Sequence, residues 1–324
     1  MEYRNFGNSN LKSSVIGFGT WELGGGYGAI VEEEVVAAIH RALELGVTLF
    51  DTAPAYGNGR SEEVLGRALG YKRKDIILVT KAGIGWDEAG KMLFDGSREA
   101  ILAGVEGSLK RLQTDYIDLL IVHRPDVGAP LPEVAEALQD ARRSGKARYV
   151  GVSNFTAAQL KECLPAGPFV ADQIGYNLFD QRMNDTIDFC RISGIGVMAY
   201  GSLCYGLLTG TLTENSFSGQ EKDWRKGGTP FGQALFKGDN FLKNLKVVEQ
   251  LKDVANSLGK SLPQLAVNWV LSNPGVTVAL TGCRRTSEIE DNVGAVGWSM
   301  SDEDKRRIET IMQRASGLSN VTWP

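Results

Sequence analysis

Four side chains that can transfer protons follow or end three consecutive apolar segments. Residues 49–57 read Leu-Phe-Asp-Thr-Ala-Pro-Ala-Tyr-Gly, so Asp51 ends an apolar run and Tyr56 follows it in a loop. Lys81 and His123 each come directly after a further apolar run. A lysine ammonium beside a phenol lowers the phenol's pKa, and an imidazole can donate a hydrogen bond to a substrate oxygen. Such a set suits protonation of the alkoxide that develops from a carbonyl.

Each of these four residues also has an ordinary structural explanation when it is considered alone. Asp51 could cap a turn, and Tyr56 could be a packed loop aromatic. Lys81 could be solvated at its strand end, and His123 could be a polar residue with satisfied hydrogen bonds. Their joint position after successive apolar runs is what favours a functional site.

The order of elements predicts that these side chains meet. Short β-rich runs, among them Ile76–Thr80 and Ile117–Val122, alternate with helical segments eight times, which predicts a parallel sheet. Eight such units predict a closed (β/α)8 TIM barrel, which gathers all its strand ends on one face. We expect one domain over residues 1–324, with two helices beyond the eight units. The turn Gly7–Asn10 predicts an N-terminal β-hairpin.

An open, doubly wound sheet is the alternative architecture. A dinucleotide-binding fingerprint would support it, but Gly17–Trp21 lacks the third glycine and opens no helix directly. The run Gly24–Gly26 is too loose to bind a phosphate by itself. The long segment Leu203–Asp239 interrupts the alternation, as does the tail after Ser301, and a loop of the length of Leu203–Asp239 is usually functional or mobile. We expect Ala82–Gly96 to fold over the opening of the barrel.

Composition excludes several classes of function. A net charge of −4 argues against a nucleic-acid-binding surface, and no run of about 18 apolar residues could span a membrane. With two histidines and no CxxC pair, we expect no metal site. We expect a cytoplasmic protein with reduced cysteines, without a nucleic-acid or membrane partner. The four cysteines are Cys163, Cys190, Cys204 and Cys283.

At this point the chain resembles the aldo-keto reductases over essentially its full length. The branch with long loops, which includes bacterial enzymes and potassium-channel β-subunits, is most similar. The resemblance implies a (β/α)8 barrel with a hairpin plug and hydride transfer from C4 of a nicotinamide. It also implies that Tyr56 is the general acid/base, that Lys81 and Asp51 tune it, and that His123 orients the carbonyl. The matching motifs are Gly17–Trp21, Leu49–Gly57, Leu78–Lys81, Asp118–His123, Gly151–Phe155 and Gly206–Gly210.

The same resemblance implies where a cofactor binds, one residue at a time. Ser153, Asn154 and Gln173 match the partners of the nicotinamide carboxamide, and Tyr200 matches the aromatic that stacks on the ring. Asp51, Thr20 and Trp21 match further residues that face the cofactor. Gly201, Ser202, Leu203, Cys204, Gly206 and Leu207 match the pyrophosphate loop, with Arg225 as a phosphate-reaching arginine. Gly282, Cys283, Arg284, Glu288, Asp291 and Asn292 match the adenosine-phosphate site.

The chain departs from the family pattern at two places in this cofactor site. Gly201-Ser202 replaces a usual Ser-Pro and Tyr205 replaces a small residue, so we expect the loop to fold somewhat differently. Glu288 stands where relatives have Gln or Arg, which disfavours a 2′-phosphate and suits a ribose hydroxyl. Arg284 and Arg285 favour phosphate. We therefore expect NADPH and keep NADH open.

The substrate pocket is expected to be aromatic. A pocket lined by aromatic side chains suits a cyclic, sugar-like or otherwise apolar carbonyl compound. The favoured function is that of an NADPH-dependent carbonyl reductase (EC 1.1.1.-) with a small-molecule substrate. The sequence does not determine the oligomeric state, and a homo-oligomer is possible. The alternatives are an NAD-dependent sugar or alcohol dehydrogenase and a nucleotide-binding regulatory subunit, against which His123 argues because channel-associated relatives carry Asn there. The expected pocket residues are Trp21, Tyr27, Trp86, His123 and Tyr205, with Trp224 nearby.

Overall fold

The computed structural model of the chain describes residues 1–28, 30–87, 89, 91–125, 128–219 and 222–321. Its strands are β1 (Tyr3–Asn5), β2 (Lys12–Ser14), β3 (Ile16–Gly19), β4 (Leu49–Asp51), β5 (Ile77–Ala82), β6 (Ile84–Trp86), β7 (Met92–Phe94), β8 (Ile117–Val122), β9 (Ala147–Ser153), β10 (Ala171–Gly175), β11 (Gly196–Tyr200) and β12 (Val276–Gly282). Its α-helices are α1 (Glu32–Glu44), α2 (Arg60–Leu69), α3 (Arg98–Leu112), α4 (Leu131–Arg143), α5 (Ala157–Cys163), α6 (Asn184–Ser193), α7 (Asp239–Ser257), α8 (Leu262–Ser272), α9 (Thr286–Val293) and α10 (Asp302–Met312).

Eight of these strands close into a barrel. The order around it is β3, β4, β5, β8, β9, β10, β11 and β12, and each strand pairs in parallel with its neighbours. The last strand returns to the first, which places Gly282 of β12 beside Gly19 of β3. Parallel neighbours need a crossover connection, and the intervening helices supply it. The predicted (β/α)8 barrel is confirmed.

The barrel interior is filled with apolar side chains and is a core, not a channel. Leu49 and Val278 belong to this interior cluster, together with Phe6 and Leu11 from the N-terminal hairpin β1–β2. Phe6 lies directly against Gly196, the first residue of β11. The hairpin therefore closes the end of the barrel at which the strands begin, and the opposite end remains for a functional site.

Two helices lie outside the eight strand–helix units, as expected. Helices α7 and α10 pack against each other. Their apolar faces form a second cluster that includes Leu251 of α7 and Ile308 of α10. Buried residues from the long segment after β11, such as Leu207 and Leu235, complete this cluster. The two helices thus anchor the base of a long loop that borders the open end of the barrel.

The segment expected to be an irregular loop, Ala82–Gly96, contains the β6–β7 hairpin. Its register pairs Trp86 with Met92 and Ile84 with Phe94. Both strands have only three residues, and every residue of β7 is at least 38% exposed. A strand that is exposed on both sides has no alternating apolar pattern, so the sequence gives no signal for it.

No α-helix in the described part of the chain is both long and apolar enough to cross a bilayer. Over the same ranges, no group of three or more His, Cys, Asp or Glu side chains is arranged to hold a metal ion. The four cysteines are free and buried. Burial raises the pKa of the Cys163 thiol to about 12, so this thiol is a poor nucleophile at neutral pH.

Candidate active site

A deep cavity of about 850 Å³ opens at the carboxyl ends of the barrel strands. Of the predicted tetrad, Asp51, Tyr56 and His123 line this cavity, and Lys81 lies behind Asp51 with 1% of its surface exposed. The barrel brings these residues together because Asp51 ends β4, Lys81 lies at the end of β5, and His123 follows β8. These are three adjacent strands of the barrel.

The Lys81 ammonium is fixed by three short hydrogen bonds. Its Nζ donates to Asp51 Oδ1 at 2.9 Å, to Asp51 Oδ2 at 2.8 Å and to the Thr52 carbonyl oxygen at 2.9 Å. An ammonium has three protons, so each of them has an acceptor. Burial lowers the pKa of Lys81, and the Asp51 carboxylate opposes that shift. The pair is therefore a rigid, internally neutralised unit beneath the cavity floor.

The Tyr56 ring lies near both this ion pair and the imidazole. Lys81 Nζ lies 4.9 Å from the centre of the Tyr56 ring, and the His123 ring centre lies 5.8 Å away at 85°. The pKa of Tyr56 is raised well above its usual value of 10, first by burial and then by the Asp51 carboxylate. The sequence predicted a lowered pKa, but the charge of Lys81 is balanced by Asp51. The phenol is consequently protonated at neutral pH and can act as a proton donor.

The His123 imidazole is neutral. Burial, with Lys81 and then Arg124 as smaller contributions, lowers its pKa well below the usual 6.5. Its Nδ1 is buried and has no hydrogen-bonding partner among the described residues. An unpaired acceptor costs less than an unpaired buried N–H, which favours the tautomer with the proton on Nε2. His123 can thus donate one hydrogen bond to a substrate oxygen without carrying charge.

Three polar side chains that match a carboxamide-binding set are linked to the tetrad. Ser153 Oγ donates to the backbone carbonyl oxygen of Gln173 at 2.8 Å, and the side-chain Nε2 of Gln173 donates to Asp51 Oδ1 at 2.7 Å. Asn154 follows β9 in a left-handed conformation with φ of 64°, and its Nδ2 donates to Ser153 Oγ at 3.0 Å. Hydroxyl and amide groups that line the cavity in this way are complementary to a primary amide.

Tyr200 provides a flat aromatic face beside these amides. Its hydroxyl donates to Asn154 Oδ1 at 2.9 Å, and its ring lies close enough to Gly175 that a Cβ there would be 3.2 Å from ring atoms. Phe231 continues the surface, with ring centres 5.7 Å from Tyr200 and 5.1 Å from Tyr205. This position can stack a planar heterocycle next to the amide set.

The predicted pyrophosphate loop contributes only part of its residues to the cavity. Gly201, Ser202, Leu203 and Gly206 line it, whereas the side chains of Cys204 and Leu207 are buried in the second apolar cluster. Cys204 and Tyr205 have φ of 48° and 55°, a region that non-glycine residues rarely adopt. Arg225 Nη1 donates to the Tyr205 carbonyl oxygen at 3.0 Å and its guanidinium pairs with Asp223, so this arginine supports the turn.

At the end of the cavity predicted to bind adenosine, Glu288 contributes a carboxylate. Glu288 Oε2 accepts from the Arg284 backbone N–H at 2.6 Å, and Glu288 Oε1 lies 3.9 Å from Arg284 Nη2. Asp291 lines the cavity but accepts from Ser261 Oγ and Gln264 Nε2, both at 2.8 Å. Gly282, Arg284, Glu288 and Asn292 also line it, and Cys283 is buried beneath, with Asn292 Nδ2 3.3 Å from its Sγ.

Aromatic rings form the remaining wall of the cavity. Trp21 is central, with ring centres 5.2 Å from Tyr27, 6.3 Å from Tyr56 and 5.1 Å from Trp224. Tyr205 also faces the cavity. Trp86 does not line it, because the β6–β7 hairpin directs other side chains inward. Thr20 does not line it either, since its hydroxyl donates to the Asp51 carbonyl oxygen at 2.9 Å.

Several lining residues were not singled out from the sequence, and five of them carry aromatic, thioether or charged side chains next to the predicted site. Met92 and Phe94 reach the cavity from the exposed hairpin, and Phe231 comes from the long loop. Arg124 was adjacent to a predicted residue, so the pair His-Arg could have indicated it. Glu22, directly after Trp21, carries a charge into the groove, and its position in a glycine-rich segment gave no sign of burial.

A closed barrel whose strand ends carry an aspartate–lysine pair, a phenol and an imidazole beside a long groove has the architecture of a carbonyl oxidoreductase. Residues 15–313 match the model of the aldo/keto reductase family, and the chain belongs to this family. Its members reduce carbonyl compounds with a nicotinamide cofactor, and this chain is an oxidoreductase of that kind.

Individual relatives cover nearly the whole chain. Aldo-keto reductase YhdN of Bacillus subtilis is 40% identical over 97% of this chain and 94% of its own length. NADH-specific methylglyoxal reductase of Escherichia coli is 32% identical over 92% of this chain and 94% of its own length. The solved structure of glycerol dehydrogenase AKR11B4 from Gluconobacter oxydans has a TM-score of 0.86 and 34% identity, and the match covers 98% of this chain and 96% of that one.

Proposed function

We propose that this oxidoreductase reduces an aldehyde or a ketone to an alcohol, with Tyr56 as the general acid. The observation that carries this proposal is the position of the protonated Tyr56 phenol, 4.9 Å from Lys81 Nζ to ring centre and next to the His123 ring. Ser153, Asn154 and Gln173 and the Tyr200 ring share the cavity and fit a nicotinamide. A bound nicotinamide supplies the hydride.

The side chains of the chain divide the remaining work. His123 donates a hydrogen bond to the carbonyl oxygen and fixes its direction. Tyr56 gives its proton to that oxygen as negative charge develops on it, and the resulting phenolate is stabilised by the Lys81 ammonium. Asp51 keeps the ammonium in place through two hydrogen bonds. Solvent returns a proton to Tyr56 after the alcohol leaves.

The experiment that tests this function is a panel of small aldehydes and ketones. We expect loss of NADH or NADPH absorbance that depends on the carbonyl compound, with preference for apolar, cyclic or sugar-like members, because aromatic rings surround Tyr56. The heat-denatured protein serves as the control. Tight binding of a reduced dinucleotide without turnover of any carbonyl compound, or of any alcohol in the reverse direction, would contradict the proposal.

We further propose that the chain binds NADH at least as tightly as NADPH, although the sequence favoured NADPH. Glu288 accepts from the Arg284 backbone N–H and lies 3.9 Å from the Arg284 guanidinium, so its carboxylate competes with a 2′-phosphate for that cation. Arg285, the other candidate, has Glu34 Oε2 3.2 Å from its Nε. A carboxylate at this position suits a ribose hydroxyl. The relative from Escherichia coli is named NADH-specific.

Replacing Glu288 with glutamine should tighten NADPH binding about tenfold, which is about 1.4 kcal/mol, and change NADH binding by less than about threefold. The reason is that one carboxylate beside the added phosphate is removed. Quenching of tryptophan fluorescence measures both dissociation constants. Glu290→Gln removes the same charge from an exposed position of α9 and is the matched control. An unchanged NADPH-to-NADH affinity ratio in E288Q would refute the role of Glu288.

A further inference from the structure

Glu22 places a carboxylate inside the groove, at the junction of the first and last barrel strands. It follows Trp21 and lines the cavity. A Cβ on Gly282 would collide with Glu22 Oε1, so the carboxylate lies directly on the end of β12. The groove continues from there to Arg284. Glu22 therefore occupies the path between the proposed carboxamide partners and the proposed adenosine site.

One oxygen of this carboxylate is left without a partner. Glu22 Oε2 is buried without a hydrogen-bonding partner, and Glu22 has no ion-pair partner within 4.0 Å, in both cases among the described residues. Arg284 and Arg225 are the cations that face it, but the first has Glu288 3.9 Å away and the second is paired with Asp223 at 2.5 Å. Glu288 faces it as a like charge.

Burial dominates the ionisation of this group. It raises the pKa of Glu22 to about 7, against a hydrogen bond from the backbone N–H of Glu22 itself, which lowers the pKa; Arg284 and Arg225 also lower it, and Glu288 raises it. The other titratable groups that interact with Glu22 are the phenols of Tyr27 and Tyr56 and the thiol of Cys283, whose pKa values are all raised above their usual ranges. All three are neutral near pH 7. Of these four groups, Glu22 is therefore the one that gains or loses a proton near that pH.

We propose that the ionised Glu22 carboxylate occupies the part of the cavity in which the diphosphate of a dinucleotide binds. Binding of a dinucleotide is then accompanied by uptake of one proton by Glu22. The inference rests on the proposed dinucleotide function. The proton comes from the buffer and forms a carboxylic acid, whose O–H can donate to a phosphate oxygen. An ionised carboxylate in the same place would face the diphosphate as a like charge.

The sign of the pH dependence follows from this coupling. Below about pH 7 Glu22 is already protonated, and binding is at full strength. Above that pH the carboxylate must be neutralised first, so the dissociation constant rises about tenfold per pH unit. His123 does not interfere, because its pKa lies well below 6.5. NADH is the suitable probe, since a 2′-phosphate titrates near pH 6 and would add its own signal.

Isothermal titration calorimetry with NADH at pH 8, in buffers of different ionisation enthalpy, tests the inference. We expect the wild-type protein to take up close to one proton and Glu22→Gln to take up none. We expect E22Q to bind NADH roughly tenfold more tightly than the wild type at pH 8, and equally at pH 6. Glu22→Ala should follow E22Q, which guards against an effect of the amide itself. Glu303→Gln, an exposed carboxylate on α10, should behave as the wild type.

The alternative results separate the two proposals. NADH binding with the same affinity and no difference in proton uptake between wild type and E22Q would overturn this inference and leave the proposed function in place. Absence of NADH and NADPH binding in every variant at both pH values would overturn the proposed function, and this inference with it.

Discussion

Tyr56→Phe should lower kcat/KM for carbonyl reduction by ~10²–10⁴-fold while the variant still binds the reduced dinucleotide. The substitution removes only the hydroxyl, so the ring stays packed against Trp21 and the His123 ring. What is lost is the proton donor for the oxygen that becomes negative during hydride transfer. Steady-state assays with the best carbonyl substrate, run beside a fluorescence measurement of NADH binding, check both parts.

A matched control is Tyr71→Phe, which removes a hydroxyl from a side chain that is 83% exposed. This variant should retain full activity and full NADH affinity. If Tyr56→Phe kept more than half of the wild-type kcat/KM, another group would have to supply the proton. If it lost NADH binding together with activity, the hydroxyl would serve the cofactor and not the substrate.

Lys81→Met should be the most destabilising single substitution in the site. It leaves the Asp51 carboxylate buried, with 4% of its surface exposed and, among the described residues, Gln173 Nε2 as its remaining side-chain donor. Breaking a buried ion pair on one side costs about 3–5 kcal/mol, because the other charge stays unpaired. Urea denaturation monitored by circular dichroism measures the change in the free energy of unfolding. Activity should fall as well, since the phenolate of Tyr56 loses its neighbouring cation.

The double variant Asp51→Asn/Lys81→Met distinguishes a lost charge from lost packing. With both charges removed, most of the stability should return, while activity stays low. Lys305→Met breaks a surface pair, with Nζ 3.7 Å from Asp302 Oδ1, and should cost less than about 1 kcal/mol. A loss below about 1 kcal/mol in K81M would show that the Asp51–Lys81 pair is not buried as the structure places it.

The sequence was sufficient for the barrel and for the positions of Asp51, Lys81 and His123 at strand ends, because both depend on local patterns. Alternating strands and helices imply a parallel barrel, and a residue just after a strand must lie on its catalytic face. Asp51, Lys81 and His123 could be placed in this way without knowledge of any contact. Contacts between residues far apart in the sequence could not be predicted in this way. One example is the hydrogen bond from Gln173 to Asp51, which joins residues 122 positions apart.

Ionisation was the property that the sequence predicted least well. A lysine near Tyr56 suggested a lowered pKa, yet the outcome depends on burial and on the Asp51 carboxylate that balances the lysine. Glu22 was overlooked for a related reason. In a glycine-rich segment a glutamate is expected to be solvated, and only the return of β12 to β3 buries it beside Gly282. Closure of the barrel brings together residues that no local pattern connects.

A single-turnover experiment tests the role of Tyr56 most directly, because it separates chemistry from product release. Protein preloaded with NADH is mixed with a carbonyl substrate, and oxidation of the bound cofactor is followed in wild type and Tyr56→Phe. We predict that the rate of this step falls by ~10²-fold or more in the variant, with the loading of cofactor unchanged. Equal single-turnover rates in the two proteins would contradict the assignment of Tyr56 as the proton donor.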